Sequence, residues 1–466
     1  MVKHNDSEIA LAQFKIFTVL WSIAALFHMA YAAVFDEKLN YALLTLAALY
    51  VIYKPGNLKG FIVMVILQLY DVFYLLPEVN NHWLFTGFVN LTIIQVLIYL
   101  FIKQKSFKVD KALWLELFAP IVRLEVLILY FYAVFHKLNS DFLNPQISCA
   151  TDLLEAQNIF NFPITLEIFS LAGYFTLFIE AAIPLLLLFK RTRKSGILIG
   201  ILFHSVLAYS SYNGYFDFSS MMFALYFLFA DQSLSAFIIK QYARIKNSNL
   251  FEEFSFVKLA VSIFIIVISL ALLHFLVRFL PEFPDFNLYF FWLIYNLVFI
   301  YLIFIYYLRR SDGSQNNLFT IAKPAFWMMP VLVLINGFSP YLGLKTESSF
   351  SMFSNLRTEG GVSNHYLMPA SSQIFDFQKK YVELISSSDD FLQKAADEKS
   401  KMVLFHFHRY LHAKKPERVE YLLDGKKEVY VAGGMGTTRA IPKDFYLFTK
   451  LFNFRLFKDG PQPCGH

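Results

Sequence analysis

The sequence predicts an all-α polytopic membrane protein, with about 9–11 transmembrane helices and a small C-terminal α+β domain on the exoplasmic side. Three observations support this fold class. Hydrophobic residues make up 57% of the chain and charged residues only 16%, whereas a soluble domain is roughly 25% charged. Long apolar runs recur over residues 1–342. The remaining residues, 343–466, have ordinary polarity with Pro and Gly punctuation.

The apolar runs define the predicted spans. A helix that crosses a hydrocarbon core of about 30 Å needs about 20 residues. Runs of about that length lie at 12–35, 58–77, 82–102, 119–137, 165–189, 256–280 and 287–308. Shorter predicted spans lie near 41–53, 196–210, 218–238 and 323–341. The run at 41–53 is the weakest, because it is short enough to be a half-span or to lie at the interface.

The distribution of basic residues orients these spans. Lys and Arg are concentrated in the alternate loops 54–59, 103–111, 190–194, 240–258 and 309–323. The intervening loops contain only Lys38 and Lys137. Because cytoplasmic loops carry the excess of positive charge, the N-terminus is expected to be cytoplasmic and the C-terminal domain extracytoplasmic.

Composition and motifs argue against several other classes. The net charge of +6 is too modest to indicate a nucleic-acid partner. The chain contains no Walker loop, GxGxxG or HExxH motif, and no metal site is predicted. The polar start, 1–15, leads directly into a full-length apolar run, so no cleavable signal peptide is expected.

The C-terminal region is predicted to fold as a small α+β domain. Strands are predicted in "MVLFHFHRYL" and in "RVEYLLDGKKEVYVAGG", with a hairpin turn at Asp424 and Gly425. "FDFQKKYVELISSSDDFLQKAADEKS" is interpreted as one or two helices.

Two polar groups are predicted to lie near the outer face. His82, in "NNHWLF", begins one span, and Lys137, in "YFYAVFHKLNSDFL", ends the next. Adjacent spans joined by a short loop tend to pack together, so His82 and Lys137 are expected to approach each other. A lysine at a helix end often extends toward water. Lys137 also lies among aromatic residues, on the side where the orientation rule requires no cation, so a general base and a marker of the membrane surface are both open for it.

Other ionisable residues in the apolar runs have less specific interpretations. His204 is half-way along a run, where packing and function are both open, because neutral histidine is the least costly ionisable group to bury. Arg123 and Glu125 are expected to pair or to extend toward the interface. Glu167 and Glu180 are expected to form structural pairs.

Three ordered stretches resemble the vitamin K-dependent γ-carboxylases and their bacterial relatives, which share the horizontally transferred transmembrane (HTTM) domain. "NNHWLF" resembles the family's Asn-Asn-His segment, and "YFYAVFHKLNSDFL" resembles its aromatic-Ala-Gly-x-x-Lys-Leu-x-x-x-Trp segment. "LFHSVLAYSSYNGYFDFSSMMFALYFLF" resembles its histidine-containing helix and the span that follows. The resemblance covers residues 12 to about 240.

The resemblance implies both an activity and site residues. Lys137 matches the family's catalytic base and His82 the histidine that supports it, with Asn81, His136 and His204 as candidates for a quinol pocket. The implied reaction oxygenates reduced vitamin K or menaquinone with O2 to the epoxide. The alkoxide formed on the way removes a proton from a glutamate, which then takes up CO2. An enzyme of this class, a carboxylase (carbon–carbon lyase) or quinol monooxygenase, would lie in a bacterial inner membrane.

The chain also departs from the family pattern. Val134 replaces the glycine, Phe142 replaces the tryptophan, and His136 stands where another lysine is frequent. The tail is much shorter than the outer region of the animal enzymes. Quinol oxygenation is therefore better supported than protein carboxylation.

Residues of the outer regions supply further candidates. Arg357, Asn355 and His365 lie close together in "SSFSMFSNLRTEGGVSNHYLMP" and are candidates to bind the carboxylate of a protein or peptide glutamate acceptor. A polar loop without a binding role is an equal alternative for this stretch. Cys149 and Cys464 both fall on the outer side, where an oxidising compartment would allow a disulfide.

Two alternative functions come from other classes. The first is a non-catalytic membrane-binding or export-accessory protein that retains the fold. The second is a small-molecule transporter, which predicts broken helices in matching halves and a midplane ion site; the sequence shows no inverted repeat. The expected partners are the lipid bilayer and the quinol.

Overall fold

The computed structural model describes residues 2–31, 39–158, 162–210, 215–246, 286–309 and 318–464. Most of these residues are helical. The helices up to residue 342 are α1 (Val2–Tyr31), α2 (Leu39–Tyr53), α3 (Leu58–Leu75), α4 (Asn81–Gln104), α5 (Lys111–Phe135), α6 (Cys149–Gln157), α7 (Leu166–Leu188), α8 (Arg193–Leu207), α9 (Phe216–Phe229), α10 (Gln232–Lys246), α11 (Phe286–Arg309) and α12 (Met328–Leu342).

Among the described residues, seven helices are long and apolar enough to cross a membrane. They comprise Glu8–Ala30, Leu58–Leu75, Asn81–Gln104, Lys111–Phe135, Leu166–Leu188, Leu288–Tyr307 and Pro324–Leu342. Each corresponds to one of the predicted spans. The predicted span at 256–280 lies outside the described residues, and 41–53 corresponds to the shorter apolar helix α2.

The predicted span at 218–238 is not one continuous helix but a sharply bent pair, which is apolar enough as a whole to be one broken span or a re-entrant loop. The chain there forms two helices, α9 and α10, whose axes differ by 113°. Asp231 causes the break, because its Oδ1 accepts hydrogen bonds from the backbone N–H groups of Ser233 (2.8 Å) and Leu234 (3.2 Å). A side chain that caps a helix N-terminus in this way starts a new helix instead of continuing the old one.

Aromatic residues form the centre of the helical region. Helix α1 packs against α2, α9 and α10. Phe14 and Trp114 contact each other with ring centroids 5.5 Å apart, and Phe17 stacks on Trp21 at 5.7 Å. These four side chains are almost fully buried, so α1 is a central element of the bundle.

A four-stranded sheet follows the helical region. Its strands are β1 (Tyr381–Ser387), β2 (Lys401–Val403), β3 (Arg418–Leu423) and β4 (Lys426–Val431), in the antiparallel order β2-β1-β3-β4. Helices α13 (Asp390–Asp397), α14 (Leu404–Lys414) and α15 (Tyr446–Leu451) complete this region. The hairpin at Asp424 and Gly425 is confirmed, and both residues have positive φ (51° and 75°), as a tight two-residue turn requires.

Two predictions for the C-terminal domain are wrong. The segment Tyr381–Ser387, predicted as helix, is strand β1, because alternate residues Val382 and Leu384 point into the core. "MVLFHFHRYL", predicted as a strand, is strand only to Val403 and then becomes α14. Phe407 and Leu411, four residues apart, bury one face of that helix.

Three of the predicted outer loops, near 77–82, 137–164 and 210–217, contact the C-terminal domain. The Phe350 N–H donates to Asn81 Oδ1 (2.6 Å), and the Lys450 ammonium donates to the Leu76 carbonyl (3.0 Å). Tyr215 packs edge-on against Phe353. A disulfide joins Cys149 to Cys464 across 315 residues of sequence. The helix ends next to these three loops therefore lie on one side of the bundle.

Candidate active site

Lys137 lies at the end of α5 and is buried in the wall of a cavity. Its Nζ donates hydrogen bonds to Glu180 Oε2 at 2.7 Å and to the Ala133 carbonyl at 3.1 Å. Glu180 projects from the middle of α7, which packs against α5. Lys137 therefore does not extend toward the surface but forms an ion pair between two apolar helices.

The cavity has a volume of about 590 Å³ and walls that are mostly apolar. Its polar side chains include Lys137, Glu180, Tyr130 and His204. The aromatic and aliphatic part of its wall includes Phe142, Leu153, Ile168, Leu171, Phe175, Leu202, Phe203, Val206, Phe218, Met222 and Phe353.

One side of the cavity opens between α7 and α8. Leu171 and Phe175 on α7, and Leu202 and Val206 on α8, line the cavity and are also exposed on the outside of the bundle. Only 17% of the residues in the apolar stretch of α7 are buried. The opening therefore lies in an apolar outer surface of the bundle.

A second polar cluster lies in the same cavity wall. The Tyr130 hydroxyl is hydrogen-bonded to the Tyr226 hydroxyl and lies 3.0 Å from His204 Nε2. A Cβ added at Gly200 would come within 2.4 Å of the Tyr226 ring, so the absence of a side chain there lets Tyr226 approach. His204 Nδ1 has no hydrogen-bond partner within the described residues. His204 thus lines the cavity.

The predicted contact between His82 and Lys137 is wrong. His82 Nε2 lies 2.7 Å from Asp217 Oδ2, and Lys137 is paired with Glu180. Asp217 is in the first turn of α9 and His82 in the first turn of α4, so the two helix starts bring these side chains together. The partner of Lys137 comes from α7, which the chain reaches only after the loop 138–165.

Two other predicted pocket residues do not line the cavity. Successive residues of a helical turn point about 100° apart, so His136 points away from Lys137. His136 Nδ1 lies 2.8 Å from the Tyr341 hydroxyl and its Nε2 lies 3.1 Å from the Ser349 carbonyl. Asn81 binds the backbone of Phe350 instead. Both side chains connect the helices to the segment after α12.

The predicted acceptor-binding residues make structural contacts. Arg357 donates to the Lys458 carbonyl (2.7 Å) and lies over the Phe457 ring at 5.1 Å. The Asn355 amide bonds to the backbone of Cys149, Ile147 and Gln462. His365 Nε2 binds the Phe135 carbonyl at 2.8 Å. These contacts bind the chain end to α5 and to the segment 138–165, as expected for the alternative of a polar loop, and carboxylate binding by these residues stays a prediction.

The expected pairing of Arg123 with Glu125 is also wrong. Arg123 donates to the carbonyls of Leu228 (2.8 Å) and Leu318 (2.9 Å), whereas Glu125 accepts from Thr92 (2.5 Å). Both charged side chains are buried, so neither extends to the interface. Residues two positions apart on a helix point in different directions, which explains the separate partners.

Burial perturbs two ionisable groups of the segment after α12. Burial lowers the pKa of Lys345 to about 7 and raises the pKa of Glu359. The neighbouring Arg455 guanidinium binds Glu347 (3.0 Å) and the Ser351 carbonyl (2.6 Å). This network lies outside the membrane-length helices and connects their outer ends to the sheet domain.

Sequence reasoning missed several residues of these clusters. Glu180 was assigned a structural pair but not the pairing with Lys137, and Tyr130, His28, Asp71 and Asp217 were not singled out. Ionisable residues inside apolar helices are rare and indicate function by default. That signal was present for His28, Asp71 and Asp217.

Comparison of the chain with protein-family models, with curated proteins and with solved structures finds no match.

Proposed function

We propose that this protein is an integral membrane enzyme, of a bacterial inner membrane, that oxidises a reduced naphthoquinone with O2 and uses Lys137 to start the reaction. One observation carries the proposal. The Lys137–Glu180 pair, with an Nζ–Oε2 distance of 2.7 Å, lies in the wall of an apolar cavity. Such a pair is costly to bury, and ionisable groups at such positions are characteristic of functional sites.

The cavity suits an apolar, ring-containing substrate. Its volume of about 590 Å³ lies within the usual range for small-molecule sites. Phe142, Phe175, Phe203 and Phe218 offer faces against which a fused aromatic ring can pack. The opening between α7 and α8 would admit a lipid-soluble quinol directly from the bilayer.

The ion pair can accept a proton without leaving an isolated charge. One proton is shared by the Lys137 amine and the Glu180 carboxylate, either as ammonium with carboxylate or as amine with carboxylic acid. When the quinol hydroxyl transfers its proton, the pair becomes ammonium with carboxylic acid. Its single positive charge then lies beside the new quinolate anion, which it stabilises.

The remaining chemistry follows from the resemblance to the γ-carboxylases. O2 adds to the quinolate, and the adduct collapses so that quinol and O2 give epoxide and water. The alkoxide intermediate is a strong base that could take a proton from a glutamate, whose carbanion then binds CO2. The apolar cavity walls favour this chemistry by excluding water, which would protonate the alkoxide and the carbanion.

The test is epoxide formation by the purified full-length protein in detergent, supplied with reduced vitamin K or menaquinone. We expect the wild-type protein to form epoxide and Lys137→Ala to lose about 10²- to 10⁴-fold in rate, the usual contribution of a general base. Lys108→Ala is the matched control, because Lys108 is exposed in the loop between α4 and α5.

The same assay separates catalysis from mere binding. Glu180→Gln should lower the rate while the quinol still enters the cavity, which binding of a fluorescent or radiolabelled quinone can establish. A folded wild-type protein that binds the quinone and forms no epoxide would favour the non-catalytic alternative.

A further inference from the structure

Three side chains able to bind a metal converge at the outer ends of α1, α4 and α9. Asp217 Oδ2 lies 2.7 Å from His82 Nε2 and 3.1 Å from His28 Nδ1. One ligand atom from each residue lies within 4.8 Å of the others. The Phe218 ring, which lines the cavity, lies against the His82 ring at 5.9 Å. The cluster is therefore next to the cavity but separate from it.

The charges of this cluster require compensation. A second carboxylate, Asp71, lies 3.9 Å from His28 Nε2. Asp71, Asp217 and His28 are all more than nine-tenths buried. Two carboxylates in such a setting need about two positive charges nearby. Either two protonated histidines or one divalent cation with two neutral histidines would supply them.

The contacts of His28 favour the cation. Its Nε2 has no hydrogen-bond partner within the described residues, although Asp71 lies in front of it. A protonated His28 would be expected to close that distance of 3.9 Å to a hydrogen bond. Trp83 stacks on the His28 ring with centroids 3.5 Å apart and also donates to Asp71 at 2.8 Å. The ring is thus held with one nitrogen toward Asp217 and the other toward a fixed carboxylate.

This arrangement is the one in which histidines commonly bind metals. A ligating histidine directs its second nitrogen at a carboxylate, which fixes the ring and makes it a better ligand. His28 has Asp71 in that position. Asp71 is itself held by the Asn40 amide at 2.9 Å.

We propose that His28, His82 and Asp217 bind a divalent first-row transition-metal ion, such as Zn²⁺ or Fe²⁺, with Asp71 orienting His28. Two imidazoles and a carboxylate suit these ions. Metal–ligand bonds are about 2.0–2.2 Å long, and the ligand atoms, which all lie within 4.8 Å of one another, would need only modest movements to surround one ion. The ion would link α1, α4 and α9, whereas the proposed quinol chemistry uses Lys137 and Glu180 and does not depend on it.

The test begins with metal analysis of the full-length protein, purified in detergent without a polyhistidine tag. We expect inductively coupled plasma mass spectrometry to find about one Zn or Fe ion per chain. After chelation, titration with Co²⁺ should give visible absorption bands that saturate at about one ion per chain, and bound ion should raise the unfolding temperature.

Variants locate the site. His82→Ala and Asp217→Asn should lose the metal, and Asp71→Asn should weaken binding about 10- to 100-fold, as loss of a supporting carboxylate usually does. His412→Ala, which removes an exposed histidine of the sheet domain, should bind Co²⁺ like the wild type.

The proposal is overturned if the chelated wild-type protein gives no saturable Co²⁺ spectrum and the protein as purified carries no stoichiometric metal. His28, His82 and Asp217 would then form an ion-pair cluster. This decision rests on the wild-type protein, so it holds even if the variants fail to fold. Epoxide formation is measured separately, and its absence would not affect the metal result.

Discussion

At the scale of single residues, burial determines how the sheet domain responds to acid. His406 lies in α14, with its Nδ1 2.9 Å from the Phe454 carbonyl. Burial lowers the pKa of His406 to about 3, and burial together with the charges of His412 and Arg439 lowers the pKa of His408 to about 4. Both side chains stay neutral in the folded domain at pH values where an exposed histidine is protonated.

We predict that acid destabilises the domain through these histidines. Below about pH 6.5 the unfolded chain binds protons that the folded domain does not, so the free energy of unfolding falls as the pH falls. The loss approaches about 1.4 kcal/mol per pH unit for each histidine and continues down to about pH 4. Hydrogen exchange of the β3 amides, corrected for the intrinsic effect of pH, measures it.

His406→Gln keeps a hydrogen-bond donor for the Phe454 carbonyl but cannot be protonated, so its stability should depend less on pH. The matched control is Lys426→Gln, at an exposed position of the same domain, which should keep the wild-type slope. Equal slopes in the wild type and His406→Gln would show that His406 does not determine the acid response.

The sequence could not predict which side chains contact the candidate site residues. The sequence predicts Lys137 as a site residue from its aromatic surroundings and its position at an outer helix end. Its partner, Glu180, is 43 residues away, and which helix packs against α5 depends on the whole bundle. His82 shows the same limit: its partner Asp217 is 135 residues away, and no local pattern indicates that the two helix starts meet.

At the scale of elements, the local patterns were sufficient for long helices and for the hairpin. The described apolar runs of membrane length are helices, the structure that a segment in a bilayer needs to satisfy its backbone hydrogen bonds within itself. Short elements were harder to predict. Strand β1 spans seven residues and contains a register shift between Leu384 and Ser386, so its alternation is too brief and irregular to exclude a helix.

Close packing of α8 on α9 gives a prediction at this scale. Gly200→Ala would place a Cβ 2.4 Å from the Tyr226 ring and should destabilise the protein by about 1–3 kcal/mol, as overpacking usually does. It should also displace Tyr226 from Tyr130 and thereby disturb the polar cluster of the cavity. Thermal unfolding in detergent and quinone binding measure the two effects.

Gly87→Ala is the matched control, since it makes the same change within a helix. Its Cβ would meet a Val72 methyl group at 3.1 Å, a contact that a small shift relieves. We expect a smaller loss of stability and unchanged quinone binding. A Gly200→Ala protein as stable as Gly87→Ala would mean that Tyr226 moves freely and does not fix α8 against α9.

At the scale of the whole molecule, the charge pattern and the contacts of the C-terminal domain lead to one orientation. The domain contacts the loops that are poor in Lys and Arg, through Leu76, Asn81 and Cys149. The basic loops that the structure describes in full, 54–59, 103–111 and 190–194, lie at the opposite helix ends. If the helices cross a membrane, the positive-inside rule puts the basic loops in the cytoplasm and the sheet domain outside.

Labelling of single added cysteines tests that orientation. Cys149 and Cys464 are joined in a disulfide, so the wild-type protein should not react with a maleimide and provides the background. Lys426→Cys, at the exposed tip of the β3–β4 hairpin, should react in intact spheroplasts with a maleimide that cannot cross membranes. Ser106→Cys, exposed in the basic loop between α4 and α5, should react only after the membrane is permeabilised. The reverse pattern would put the sheet domain in the cytoplasm, and labelling of both sites without permeabilisation would show that the helices from α5 to α12 do not place these two positions on opposite sides of a membrane.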